Sequence, residues 1–300
     1  MFQRTSVNRL ALYFILPALI ATILVHLIPI SWGIYIGFID LDIKTLAQWT
    51  KAPFVGLENF RTIFESASNV GERFIRSIWN IAIYGLITIP AGFVIALAVA
   101  LLLHQQFVGR TLVRGLILLP YITPDAVMYN VWRFLFQARI GLVNKYLLAW
   151  GLIDEPLIWL VGERAMWSVV LSSIWKGWPF SCLILLAGLQ SIPRDMYEAA
   201  TIDGANWRHR FQYITFPMLW PVSRTLLLLS TIWTFHAFNQ FYVMLGGDTT
   251  SRVAVPSLVI LNEAFRNLHY GLGAAMSIIV LLVVFAFTSL LIFAQKEETA

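Results

Sequence analysis

Residues 191–217 read SIPRDMYEAATIDGANWRHRFQYITFP. Apolar runs flank this stretch on both sides, yet it carries Arg194, Asp195, Glu198, Asp203, Arg208 and Arg210, too much charge to stay in lipid. It is also well supplied with helix formers and boundary signals, so it reads as short helices on a membrane surface between two spans. Pro193 can open a turn, Asp195 can cap a helix over Met196 to Thr201, and Gly204 with Ala205 permits a tight bend or the close approach of another backbone. Glu198, Ala199 and Ala200 then ride on the first short helix. The residues alone leave two readings open. One is an amphipathic connector anchored at the lipid interface by Trp207, Phe211 and Tyr213. The other is a docking knob, small residues set beside one acid.

Outward from this insertion, composition points the same way. The chain of 300 residues is 59% hydrophobic and 12% charged with a mean hydropathy of +0.74, against roughly 25% charged residues in soluble globular chains. The bilayer must be part of its solvent. A net charge of +5 is spread singly between apolar runs with no stripe to track phosphates, which excludes nucleic-acid binding. Cys182 is the only cysteine, so an internal disulfide is impossible, and its apolar neighbours make it a small packing hydrophobe.

A helix needs about 20 apolar residues to cross the hydrocarbon core. Six segments come close: 11–39, 75–103, 112–137, 165–190, 214–245 and 272–294. Each is far longer than the ~10 alternating residues of a barrel strand, so internal backbone pairing calls for helices. The expected fold is an all-α integral membrane protein of six spans, one domain over residues 1–300. The first apolar stretch, Leu10 to Phe38, exceeds a signal-peptide core and is followed by no small-residue cleavage site, so it is expected to be a retained helix with no soluble domain before it. Arg4 and Arg9, then His104, Arg110 and Arg114, then Arg194, Arg208 and Arg210 flank alternate ends of the spans. The positive-inside rule makes those regions, and both termini, cytoplasmic.

The segment EAATIDGANWRHRFQYITFP resembles the EAA loop of permease subunits in binding-protein-dependent ABC importers, with Glu198, Ala199, Ala200, Asp203, Gly204, Ala205, Ile214 and Pro217 in the family spacing. Phe216 replaces the usual leucine before Pro217, one hydrophobe for another. LILLPYITPDAVMYNVWRFLF, GLVNKYLL, WKGWPF and FNQFYVMLGG extend the likeness over nearly the whole chain, on the side of the carbohydrate-uptake subgroup similar to maltose permease subunits. Leu245-Gly246-Gly247-Asp248 departs from the Thr-Gly-Gly-Gly-Pro-like loop of many relatives, at the external contact with the binding protein. The resemblance implies a cytoplasmic coupling helix between the fourth and fifth spans, seated in a groove of an ATPase subunit. It further implies two such ATP-binding subunits carrying ATP and Mg, a second permease that is a distinct chain, an extracytoplasmic solute-binding protein, and a prokaryotic cytoplasmic membrane. No Gly-Lys dipeptide occurs, so the chain has no Walker A lysine, and the ATPase must be separate.

Ionisable groups inside a membrane are costly and by default functional candidates, which singles out Asp125 after Pro120-Tyr121-Ile122-Thr123-Pro124; a place at the outer interface is the plainer reading. In the fourth span Ser173, Gly177 and Phe180 recur at helical spacing beside Lys176, with Pro179 expected to kink the helix. Ser230, Thr234 and Ala237 share a face of the fifth, close to His236 and Asn239. Small and polar residues in such helices equally serve helix packing. Aligned through the shared motifs, Tyr121, Asp125, Ser173, Gly177, Phe180, Ser230 and Thr234 match positions lining the sugar site of maltose-permease-like subunits, and His236 joins them as a candidate substrate contact. A sugar, mono- or oligosaccharide, is therefore the expected cargo, moved by alternating access, with a polyol or a glycerol-phosphate derivative as the alternative.

Other functions find less support. No HExxH pair or GxSxG elbow occurs, and His26, His104, His209, His236 and His269 are dispersed without ligand spacing, so neither catalytic residues nor a metal site is expected. An ATPase-independent transporter or channel would be expected to show a filter-like loop or paired broken helices in two repeated halves.

Overall fold

The computed structural model describes residues 13–65, 69–247 and 252–297, with side chains to residue 293. Expectations resting on Arg4, Arg9 and Asp248 lie outside these residues. Among the described residues the chain is helical, with one isolated antiparallel bridge, Ile39 to Phe54, and no strand. It divides into two units, one running to Phe74 and resuming over Ile260–Val283, the other comprising Ile75–Val259 with the segment from Val284 onward.

In the first unit, helix α1 (Tyr13–Ile36) is long and apolar enough to span, and none of its most apolar window is buried within the chain. Its surface therefore has only lipid or another protein to face. A π turn over Ile23–Leu27 precedes Pro29, whose missing N–H cannot serve the Val25 carbonyl. Beyond α1 the chain is pinned by short polar bonds. Asn59, on α2 (Glu58–Phe64), donates through Nδ2 to the Gly37 and Ile39 carbonyls, both at 3.0 Å. Asp42 accepts the backbone N–H groups of Thr45 and Lys44 at 2.9 and 2.8 Å; these bonds, Thr45's first, hold its carboxyl below the usual range. Buried Glu263 is paired on both oxygens, with Arg73 at 3.5 Å on one and Asn267 at 2.9 Å and His269 at 3.4 Å on the other.

The second unit is built on α3 (Asn69–His104) from Ile75 onward, α7 (Arg164–Gln190) and α10 (Phe216–Phe235). Around them lie α4 (Arg110–Ile122), α5 (Asp125–Leu135), α6 (Leu142–Ala149) and α11 (Asn239–Leu245). Their apolar faces make two separate cores. One gathers Ile81, Tyr84, Met128, Val169, Phe241 and Leu258. The other gathers Ala96, Leu103, Cys182, Leu185, Leu189, Leu219 and Leu226. A Cβ on Gly188 would stand 2.8 Å from the Leu219 side chain, so its lack of one lets α7 and α10 approach closely.

Two of the six expected spans differ from simple helices. Residues 112–137 form α4 and α5, bent by 86° at Thr123-Pro124. Proline removes a donor and forces the residue before it to extend, and Thr123 has ψ 129°. Residues 214–245 divide into α10 and α11 at His236–Phe238, where the Ser257 hydroxyl donates to the freed Ala237 carbonyl at 2.9 Å. Among the described residues four helices, α1, α3, α7 and α12 (Tyr270–Glu297), are long and apolar enough to cross a membrane, and the bent pair is a fifth if taken as one span. α10 has the length, but Ser223, Arg224, Thr225, Ser230, Thr231 and Thr234 interrupt its apolar residues. Helix α7 continues through Pro179.

Candidate functional site

Between the two cores of the second unit lies a cavity of about 240 Å³. Three helices reach it with residues one turn apart: Tyr84, Thr88 and Gly92 of α3 and Ser173, Gly177 and Ser181 of α7, both at mid-length, and Ser230 with Thr234 near the C-terminal end of α10. Gly92 and Gly177 leave it open, since an added Cβ at either would meet nothing within 4 Å. Along one wall Tyr121 stacks on Phe180 with ring centroids 5.1 Å apart, and Phe180 meets Trp233 edge-on at 5.6 Å. Gln240 donates to the Tyr84 hydroxyl at 3.2 Å. Ser173 Oγ is buried close to the phenol oxygens of Tyr84 and Tyr129, yet has hydrogen-bonding geometry with neither.

Six of the expected substrate contacts, Tyr121, Ser173, Gly177, Phe180, Ser230 and Thr234, come together at this cavity; Asp125 and His236 are not among its lining residues. Asp125 opens α5 just past the bend, its Oδ1 3.0 Å from Lys176 Nζ and its Oδ2 accepting from Asn239 at 3.1 Å. Lys176 also donates to the Tyr121 and Thr123 carbonyls, at 3.3 and 2.8 Å. His236 is exposed at the C-terminal cap of α10, with Nδ1 3.0 Å from the Ile232 carbonyl. Trp233, Gln240 and the α3 face were missed by sequence reasoning. Tyr84, Thr88 and Gly92 do carry a signal, a four-residue spacing, within an otherwise apolar span.

The polar insertion folds as α8 (Arg194–Ile202) and α9 (Trp207–Arg210). α8 begins two residues earlier than expected; Pro193 occupies the cap position, and Asp195 lies within the first turn without capping it. The far end closes as a Schellman motif. Ala205 N–H bonds the Ala200 carbonyl at 2.8 Å, Gly204 N–H bonds the Thr201 carbonyl at 3.1 Å, and Gly204 takes φ +78°. Asn206 caps α9 by accepting the His209 N–H at 3.0 Å. Glu198, Ala199, Asp203, Gly204 and Pro217 are exposed, Ala200 and Ala205 half-buried. Ile202 is 87% exposed, an apolar tip that none of the described residues covers.

Residues 66–296 match the family model described as binding-protein-dependent transport system inner membrane component. The chain belongs to that family. This permease of an ABC importer is 32% identical to the trehalose/maltose transport system permease protein MalF of Thermococcus litoralis, over 93% of this chain and 91% of that one. It is 31% identical to the sn-glycerol-3-phosphate transport system permease protein UgpA of Brucella abortus, over 95% and 94%. In fold it is similar to a chain of a bacterial ABC transporter involved in the import of the acidic polysaccharide alginate, with a TM-score of 0.84, 22% identity, and coverage of 100% of the permease and 99% of that chain.

Proposed function

We propose that the permease moves a sugar, a mono- or oligosaccharide, delivered from outside by a solute-binding protein. ATP binding closes two ATPase subunits, and this chain and a second, distinct permease alternate between outward- and inward-open states. The cavity carries the reading. Sugars need directional partners for their hydroxyls and flat aromatic faces for their C–H surfaces, and here hydroxyl, amide and phenol groups stand beside the Tyr121–Phe180–Trp233 wall. At 240 Å³ the space falls below the ~300–1,000 Å³ of whole ligand pockets, in keeping with a site completed by the second permease. The exposed Glu198–Ala205 turn is the surface assigned to the ATPase, which makes that end of the spans, and both termini, cytoplasmic.

Gly177→Leu tests the cavity. It fills space that no other atom occupies, so the assembled complex is expected to keep its thermal stability while ATP-dependent uptake of maltose and trehalose into proteoliposomes falls roughly tenfold or more. Unchanged uptake by that variant would remove the cavity from the pathway. A wild-type complex that moved sn-glycerol 3-phosphate and neither sugar would favour the second reading, for which the UgpA likeness is the supporting observation. Uptake without ATP would instead indicate a channel or secondary transporter.

A further inference from the structure

The ammonium group of Lys176 has three N–H donors, and three acceptors surround it: the Tyr121 and Thr123 carbonyls and Asp125 Oδ1. Its side chain is 15% exposed. The remaining Asp125 oxygen takes the Asn239 amide. Lys176 is thus filled as a donor and balanced as a charge, although it neighbours Gly177 in the cavity floor and binds the backbone of Tyr121 in the wall. The cavity lining itself contains tyrosine, serine, threonine, glutamine and apolar residues, and no Asp, Glu, Lys, Arg or His. A charged ligand would find no counter-ion on this chain's side of the low-dielectric site, a cost of several kcal/mol that no group of this lining offsets.

We propose that the Asp125–Lys176 pair is a charge lock that makes this cavity select uncharged polyhydroxy ligands and reject phosphorylated or carboxylated ones. The inference rests on the cavity being the substrate site, and it separates this permease from relatives named for a glycerol phosphate or an acidic polysaccharide. Without the Asp125 carboxylate, Lys176 keeps its two carbonyls and gains an uncompensated positive charge beside the wall, which an anion can then satisfy.

The test is saturation-transfer NMR on the complete transporter in nanodiscs, with glucose and glucose 6-phosphate as probes, counting only signal that Gly177→Leu abolishes. Wild type is expected to favour glucose roughly tenfold or more. Asp125→Asn should narrow that ratio to about twofold or invert it, and Asp125→Asn with Lys176→Gln, which removes both charges but keeps an amide donor at the bend, should restore it. A purely structural role for the pair would weaken both probes alike in the single variant and further in the double. Equal binding of the two sugars by wild type, or an unchanged ratio in Asp125→Asn, overturns the charge lock and leaves the cavity reading standing. No cavity-dependent signal from either sugar overturns both.

Discussion

The permease breaks its apolar spans with polar chain in two contrasting ways, at Tyr121–Asp125 and at Ser191–Pro217. Both contain proline, and both leave helix ends with unserved backbone groups. At the first break the groups are served from within: Lys176 and Asn239 reach in from α7 and α11 and leave the carboxylate and two carbonyls paired. At the second the backbone closes on itself through the Schellman turn, while Glu198, Asp203 and Ile202 point out with no partner among the described residues. A polar break saturated by its own chain fixes a shape for a small ligand to meet. One that leaves side chains outward presents a surface, and a surface of that kind is completed by another protein.

The sharpest way to break this contrast is to unsaturate the first site. Lys176→Met strands two carbonyls and the Asp125 carboxylate, and a complete loss of such a pair costs 3–5 kcal/mol when fully buried. Asp125 is 43% exposed and keeps Asn239, so about 2–4 kcal/mol is expected. It should appear as a lower unfolding temperature of the purified complex, with Lys176→Arg recovering part. Should Lys176→Met melt with wild type, the bend is held by Pro124 and packing alone.

At the second site the expected stability effect is smaller and the functional one is separate from it. Gly204→Asp meets nothing within 4 Å of the new Cβ and pays only left-handed strain, about 1–2 kcal/mol. If the turn docks an ATPase, the added charge should cost about 2 kcal/mol of that contact, roughly thirtyfold in affinity. Co-purification of the ATPase should fall for Asp and much less for Gly204→Asn, which is the same size and uncharged. Equal retention by wild type and both variants would mean that the turn faces solvent or lipid rather than a partner.

The two regions were not equally legible in the sequence. The insertion announces itself by charge between apolar runs and by the spacing of Glu198, Gly204 and Pro217, and Gly204 is a glycine because the helix ends there in a conformation that side chains resist. The cavity was half legible. Ser173, Gly177 and Phe180, like Ser230 and Thr234, fall on one helical face each, which periodicity reveals. The role of Lys176 is not revealed so, since its acceptors, two backbone carbonyls and the Asp125 carboxylate, lie some fifty residues away. Nor does any proline or glycine mark the break at His236–Phe238 that brings Gln240 to the cavity, so residues 214–245 read as one span.

The two regions also meet a common element, which gives the smallest and most discriminating prediction. Tyr197 on α8 and the buried Thr215 hydroxyl at the foot of α10 are 2.9 Å apart, and α10 carries Ser230, Trp233 and Thr234 to the cavity. Tyr197→Phe removes one hydroxyl, so about 1 kcal/mol of stability is expected to go. Were the bond only structural, ATP hydrolysis and uptake would fall together. If it helps the exposed turn drive α10, uptake per ATP hydrolysed should drop while hydrolysis persists, and adding Thr215→Val to Tyr197→Phe should cost little more, because both variants cut the same link. Additive losses in the double variant would mean that motion reaches α10 by the backbone of the π turn at Phe211–Thr215 instead.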